Sequence, residues 1–269
     1  MKVLFFGDVY GKAGRQTVQL ALPTLKEEFN PDFIIANGEN IADGKGVTEK
    51  TLSQLFSYGI DAVTGGNHLW DRNEAIEYIR SQNRIVKPLN YPEYAPGNPF
   101  LILVKGNLRL GIICLCGQLL MPPCDNPFNA LDKFIKTNYN EDGEQKGVYT
   151  LPFPVILDFH TETTSEKRAM GWFADGKLSA VLGTHTHIQT ADEEILPAGT
   201  AYITDVGMTG SHDSVIGVKK EIIVDKFRTS IPIRYESSDS GLQVNAVVLE
   251  INSETGLATK ITRVRRTLE

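Results

Sequence analysis

The chain holds five histidines, and four of them lie in short motifs whose residue types bind metal. The motifs are Gly7-Asp8, Gly38-Glu39-Asn40, Gly66-Asn67-His68, Asp158-Phe159-His160 and Gly183-Thr184-His185-Thr186-His187. Imidazole suits Zn, Fe, Cu and Ni, while carboxylate and carbonyl oxygen suit Mg and Mn, so a mixed set fits Fe, Mn or Zn. Asp8 and Glu39 alone cannot neutralise two divalent cations, and the amides of Asn40 and Asn67 add ligand oxygen without charge. The centre would stay net positive and attract a phosphate. Two ions about 3.5–4 Å apart can acidify water and stabilise both oxygens of an in-line displacement. His68, beside Asn67, is then free to protonate the leaving oxygen, a task that suits a side chain titrating near neutrality. His185 and His187 are two apart, and in extended backbone such residues point the same way. That spacing predicts that both imidazoles reach one cluster.

The elements must bring these motifs together. Val3–Phe6, Phe33–Ala36 and Asp61–Thr64 are apolar runs that read as buried strands, each ending at a motif. Arg15–Phe29 has helical spacing, with Pro23 implying a kink or a later start. Thr48–Tyr58 reads as a helix with Thr48 as N-cap and Gly59 past its end. Asp71 is expected to start another helix, with Asp71-x-x-Glu74 as a capping box. Leu101–Val104 and Leu110–Cys116 predict a hairpin turning at Gly106-Asn107. Val155–Phe159, Leu178–Leu182 and Ala201–Val206 read as further strands, Ser165–Phe173 as a short helix, and Leu242–Arg265 as two antiparallel strands. Alternating strands and helices indicate an α/β layer. In such sheets ligands gather at the carboxyl ends of strands, where Asp8, Glu39 and Asn67 fall. The expected fold is an α/β two-sheet sandwich flanked by helices. Residues 1–269 are expected to form one domain, with loop excursions around 88–100 and 136–148, the second including the polar stretch Asn138–Lys146.

Composition narrows the function classes. The 41% hydrophobic and 22% charged residues match an ordinary globular protein. A net charge of −6 disfavours a polyanion-coating role, so no stable nucleic-acid complex is expected. Three cysteines, Cys114, Cys116 and Cys124, lack a disulfide framework, and the first two read as small buried hydrophobes. No run matches a signal peptide or a membrane span, so the expected location is cytoplasmic, with no membrane partner.

The motif order resembles that of the calcineurin-like metallophosphoesterases, and more closely their YmdB-type branch of bacterial 2′,3′-cyclic nucleotide phosphodiesterases. Gly38–Ala42, Gly65–Asp71, Asp158–Gly171 and Gly183 through Gly217 carry the likeness, which spans the whole chain. Gly-x-His-x-His followed by Gln189-Thr190-Ala191-Asp192 is its most specific part. The resemblance implies that Asp8, Asn40 and His187 hold one metal and Asn67, His160 and His185 the other. Glu39 would bridge them, His68 would be the proton donor, and the metals would be iron or manganese. The wider superfamily usually has Asp-x-His in its first motif. Here Tyr10 stands in place of that His, and Asn40 is the natural substitute.

Several residues have plainer readings. Asp71 could orient His68, but the capping role is simpler. Glu162 and Lys167 read as ordinary helix-start charges. Gly11-Lys12-Ala13-Gly14 lacks the Gly-Lys-Ser/Thr of a P-loop. His212 reads equally as a substrate contact or a solvated loop residue. The function expected is a dinuclear metal-dependent phosphodiesterase acting on small cyclic nucleotides. The alternatives are a phosphomonoesterase or nuclease on the same scaffold, and a metal-bound regulatory protein without turnover. A homo-oligomer is compatible with all of this.

Overall fold

A computed structural model of the chain describes residues 1–138 and 153–268. The first three apolar runs form β1 (Lys2–Phe6), β2 (Phe33–Asn37) and β3 (Ala62–Thr64), and β4 (Ile85–Val86) follows; all four are parallel. Helices α1 (Gly11–Phe29) and α2 (Glu49–Tyr58) are the crossovers, and α3 (Ile76–Ser81) follows β3. The expected hairpin is β5 (Phe100–Lys105) and β6 (Leu108–Cys116). Then come α4 (Pro127–Asn138), β7 (Val155–His160), α5 (Thr164–Ala174), β8 (Ala180–Thr184), β9 (Glu194–Ile195) and β10 (Ala201–Ile203). The chain closes with β11 (Gly210–Ser211), α6 (Lys220–Thr229), β12 (Leu242–Ile251) and β13 (Ala258–Thr267).

Two sheets result. One has the order β11-β12-β1-β2-β3-β4, with β13 on β12; the other has the order β5-β6-β7-β8-β10-β9. The late hairpin therefore completes the first sheet. β12 pairs antiparallel with β1, Phe5 opposite Val247, and covers an edge that would otherwise expose backbone donors and acceptors.

Side-chain alternation sets the layers. Val3, Phe5, Phe33 and Ile35 face inward and meet Ile112, Ile156, Leu182 and Ile203 of the other sheet. Leu4, Phe6, Ile34 and Ala36 face outward against Val18, Leu22 and Leu25 of α1 and Leu52 and Leu55 of α2. On the opposite outer face, Leu115, Leu157 and Phe159 pack on Leu131 and Phe134 of α4 and Met170 of α5. Three apolar interfaces thus separate four layers, helix–sheet–sheet–helix, as the sequence predicts.

Some boundaries differ from expectation. α1 starts at Gly11 and runs unbroken through Pro23. Proline frees the carbonyl four residues back, here that of Gln19, and both residues lie on the exposed face where water can satisfy it. Thr48 does cap α2, in a capping box with Thr51, and Gly59 closes the helix at φ 107°. Of the 88–100 segment, residues 88–99 form a loop and Phe100 already begins β5; the loop is tied down by buried Lys87, whose Nζ donates to the carbonyls of Pro92, Glu93 and Ala95. Of the second expected excursion, residues 136–138 finish α4; the rest lies outside the described residues. Among the described residues, no helix is long and apolar enough to cross a membrane.

Candidate metal centre

The face between the sheets turns polar at one end. Phe33 and Ile35 are followed by Asn37, Ala62 by Thr64, Ile156 by Asp158 and His160, and Leu182 by Thr184, all buried. Asp158 organises this floor. Its Oδ2 accepts from Asn37 Nδ2 at 2.8 Å and Thr64 Oγ1 at 2.5 Å, and its Oδ1 accepts from Thr184 Oγ1 at 2.6 Å. Burial pushes the Asp158 carboxyl up to about 6, against the pull of His160 and these hydrogen bonds.

Above the floor, the residues expected as ligands converge. His160 Nε2 lies 3.0 Å from Glu39 Oε1 and 3.1 Å from His185 Nδ1. Ligand atoms of Glu39, His160 and His185 all fall within 4.8 Å of one another. Asp8 and His187 sit on the other side, with His187 Nε2 3.8 Å from Asp8 Oδ1 and 3.4 Å from Asn40 Nδ2. Asn40 also donates to Glu39 Oε1 at 3.0 Å, so as a ligand it would turn its amide to present oxygen. Glu39 stands between the two groups, its Oε2 accepting from the His68 backbone at 2.8 Å.

Two observations fit this cluster to cations. Asp8 Oδ1 and Asn67 Oδ1 are buried and have no hydrogen-bond partner, an arrangement that is costly unless a cation satisfies it. Each imidazole also has its far nitrogen engaged. His160 Nδ1 donates to Thr184 Oγ1 at 2.8 Å, His187 Nδ1 donates to the Ile216 carbonyl at 3.2 Å, and His185 Nε2 lies 3.1 Å from Glu162 Oε2. Such contacts fix the tautomer and aim the other nitrogen inward.

Buried carboxylates draw positive charge into the cluster. Burial lowers the basicity of His160, but Glu39, with Asp8 and Asp158, raises its pKa to about 9, so this ring would shed a proton to bind a metal. Burial would raise Glu39, yet His160 and His68 hold it at about 2. Burial and the charge of His160 push His185 down to about 3, the neutral form that binds metal. Burial raises Asp8 despite nearby His187 and His160. Ligand atoms this close favour a cation among them.

Three readings change. His185 and His187 do not project from extended strand. β8 ends at Thr184, and the two histidines take left-handed backbone, φ 96° and 66°, which turns one toward His160 and the other toward Asp8 and Asn40. Asp71 caps nothing. The helical turn after it begins at Asn73 without a side-chain cap, and the Asp71 carboxylate instead meets His68 Nδ1 at 2.8 Å. Glu162 and Lys167 are not idle helix-start charges, since Glu162 pairs with His185 and Lys167 is fully buried beneath the same turn. Both effects depend on distant partners; the one local signal was a lysine on the apolar face of a helix.

Tyr10 packs its ring edge-on to His187, centroids 5.7 Å apart, so this position supplies no nitrogen and Asn40 is the polar group beside His187. Gly66 packs directly against the cluster, where a Cβ would lie 2.3 Å from Glu39 Oε2 and 2.6 Å from His160 Nε2. His212 lies outside the cluster, its Nε2 donating to the Met208 carbonyl and its Nδ1 facing Gln243.

A helix-flanked pair of sheets with Asp, Glu, Asn and His gathered at strand ends is a metallophosphoesterase-like α/β sandwich. A putative 5′-nucleotidase of Staphylococcus aureus shares the fold at TM-score 0.59 and 14% identity over 100% of this chain and 54% of that one. More narrowly, the chain belongs to the YmdB-like protein family, whose model matches residues 4–264. It is 43% identical, over 98% of this chain and 96% of the relative, to the 2′,3′-cyclic-nucleotide 2′-phosphodiesterase of Bacillus subtilis strain 168. A crystal structure described as a novel phosphatase from Mycoplasma pneumoniae superposes with TM-score 0.90 at 33% identity, covering 99% of this chain and 93% of that one.

Proposed function

We propose that the chain is a dinuclear metal-dependent phosphodiesterase that hydrolyses small cyclic nucleotides, with 2′,3′-cyclic nucleotides preferred. The observation that carries this reading is the pair of orphaned buried oxygens beside the Glu39–His160–His185 cluster: Asp8 Oδ1 lies 4.0 Å from His160 Nδ1, and Asn67 directly precedes His68, whose backbone donates to Glu39. Asp8, Asn40 and His187 would hold one ion, Asn67, His160 and His185 the other, and Glu39 both. Iron or manganese suits this oxygen-and-nitrogen set. When bound, such ions supply Lewis acidity and acidify water.

The chain's own groups supply the rest. His68 has its Nδ1 against Asp71, which leaves Nε2 to carry the proton for the departing oxygen. Charge favours a diester over a monoester. The two arginines that reach the Ile41–Lys45 turn donate to backbone, Arg15 to the Ile41 carbonyl and Arg72 to those of Ala42 and Lys45. Neither offers a free bidentate grip for the second charge of a monoester. The choice of the 2′,3′ ring follows the named activity of the Bacillus subtilis relative.

The test is a substrate panel with purified protein at defined metal content. The expected result is a higher kcat/KM for a 2′,3′-cyclic nucleotide than for the matching nucleoside monophosphate. The reverse order would favour a phosphomonoesterase.

A further inference from the structure

We propose that the buried ion pair of Lys167 and Asp205 is a positioning device that sets the left-handed turn carrying His185 and His187. The inference rests on the metal-centre reading above and adds to it two residues that touch no ligand atom of the cluster. Lys167 lies in α5 and Asp205 follows β10; both side chains are buried, with Nζ 2.5 Å from Oδ2. The Lys167 ammonium also donates to the Thr184 carbonyl at 2.8 Å. Asp205 Oδ2 accepts from the Thr186 backbone at 3.2 Å and from Thr186 Oγ1 at 2.7 Å. The residues immediately before and after His185 are thus bound to the same ion pair. Asp205 Oδ1 accepts from the Gly207 backbone at 2.8 Å, and the following residue, Met208, donates to the His187 carbonyl at 3.0 Å. The turn is held from both sides.

This arrangement addresses a definite cost. Left-handed backbone disfavours residues that carry a Cβ, and two of the three residues 185–187 adopt it. Strain of this kind persists where surrounding structure over-determines it. Close packing contributes here too, because a Cβ on Gly183 would fall 1.7 Å from the Thr204 carbonyl oxygen and 3.1 Å from Lys167 Cδ. A buried ion pair adds little stability over apolar residues of the same volume, so stability alone does not explain these charges. Their hydrogen bonds run to the backbone and hydroxyl of the histidine turn, so what they fix is the direction of two imidazoles before any ion arrives. Lys167 therefore reads as the anchor of the turn and Asp205 as its clamp.

The experiment titrates metal-free protein with cobalt(II), with affinity read by chelator competition and geometry by the visible absorption bands. The test variant is Lys167→Met with Asp205→Asn, which removes both charges and leaves no lone buried ion. Its circular dichroism and cooperative unfolding should persist, while cobalt affinity falls roughly 10–100-fold, the usual effect of removing groups that orient metal ligands, and the absorption bands shift. Leu25→Ala, in the core under α1, is the comparison; it should lower Tm and leave cobalt affinity alone. Should the double variant fail to fold, Thr186→Val removes only one hydrogen bond to Asp205 and should give a smaller loss of the same sign. Unaltered affinity and spectrum in the folded double variant, or in Thr186→Val where that one is used, would overturn the positioning role while leaving the metal centre intact. Wild-type protein that takes up no cobalt would overturn both.

Discussion

His68 Nδ1 and Asp71 Oδ2 lie 2.8 Å apart, and Lys45 approaches the same carboxylate at 3.2 Å. Asp71 therefore orients the ring of the proposed proton donor. Histidine with one nitrogen anchored to a carboxylate has the other set in direction and tautomer.

His68→Ala should keep its metals and lose roughly 10²–10⁴-fold in turnover of esters with poor leaving groups, the range for general acid catalysis. A nitrophenyl ester, whose leaving group needs little protonation, should lose much less. Asp71→Asn should show the same substrate pattern at smaller size. Parallel kcat/KM measurements on the two ester types decide it; equal losses on both would remove the acid role.

Glu39→Ala should deplete metal more than Asn40→Ala. Glu39 supplies charge and stands between the two ligand groups, whereas Asn40 faces His187 and supplies none. Elemental analysis after reconstitution with iron or manganese should give two ions per wild-type chain and fewer in Glu39→Ala than in Asn40→Ala. Equal contents would count against a shared carboxylate.

Gly66→Ala should abolish metal loading although no ligand changes. The added methyl would lie 2.3 Å from Glu39 Oε2, so the carboxylate or His160 must move. Near-normal loading, with a crystal structure showing both side chains in place, would disprove the argument.

Thr48→Ala should cost about 0.5–2 kcal/mol through loss of the α2 capping box and leave metal affinity unchanged. Denaturant unfolding and cobalt titration on the same sample separate the two effects.

Residue by residue, the sequence was most legible where one strand ends at one candidate ligand. Asp8, Glu39, Asn67 and His160 each follow a buried apolar run, and their convergence follows from the rule that strand ends share one rim. His185 and His187 were legible as candidate ligands but not in geometry, because a left-handed turn leaves no mark on non-glycine residues. The supports were hidden for a different reason. Lys167 is 38 positions from Asp205, Asn37 is 121 from Asp158, and each side chain has a bland local reading. Asp158 and Thr184 did carry a signal, namely a polar residue at the inward position of a buried strand, which requires a buried partner. The placement of β12 beside β1 joins residues nearly a whole chain apart, and the hairpin pattern alone could not choose its sheet.

Asp8, Glu39 and Asn67 come from the first sheet, and His160, His185 and His187 from the second. An ion bound among them is thus a rivet across the seam between the two halves. Its binding free energy is added to the work of prising the sheets apart, about 4 kcal/mol when free metal stands at a thousand times Kd. If the proposed centre is right, heat resistance in this chain should track metal supply, and metal-depleted protein should be easier to unfold.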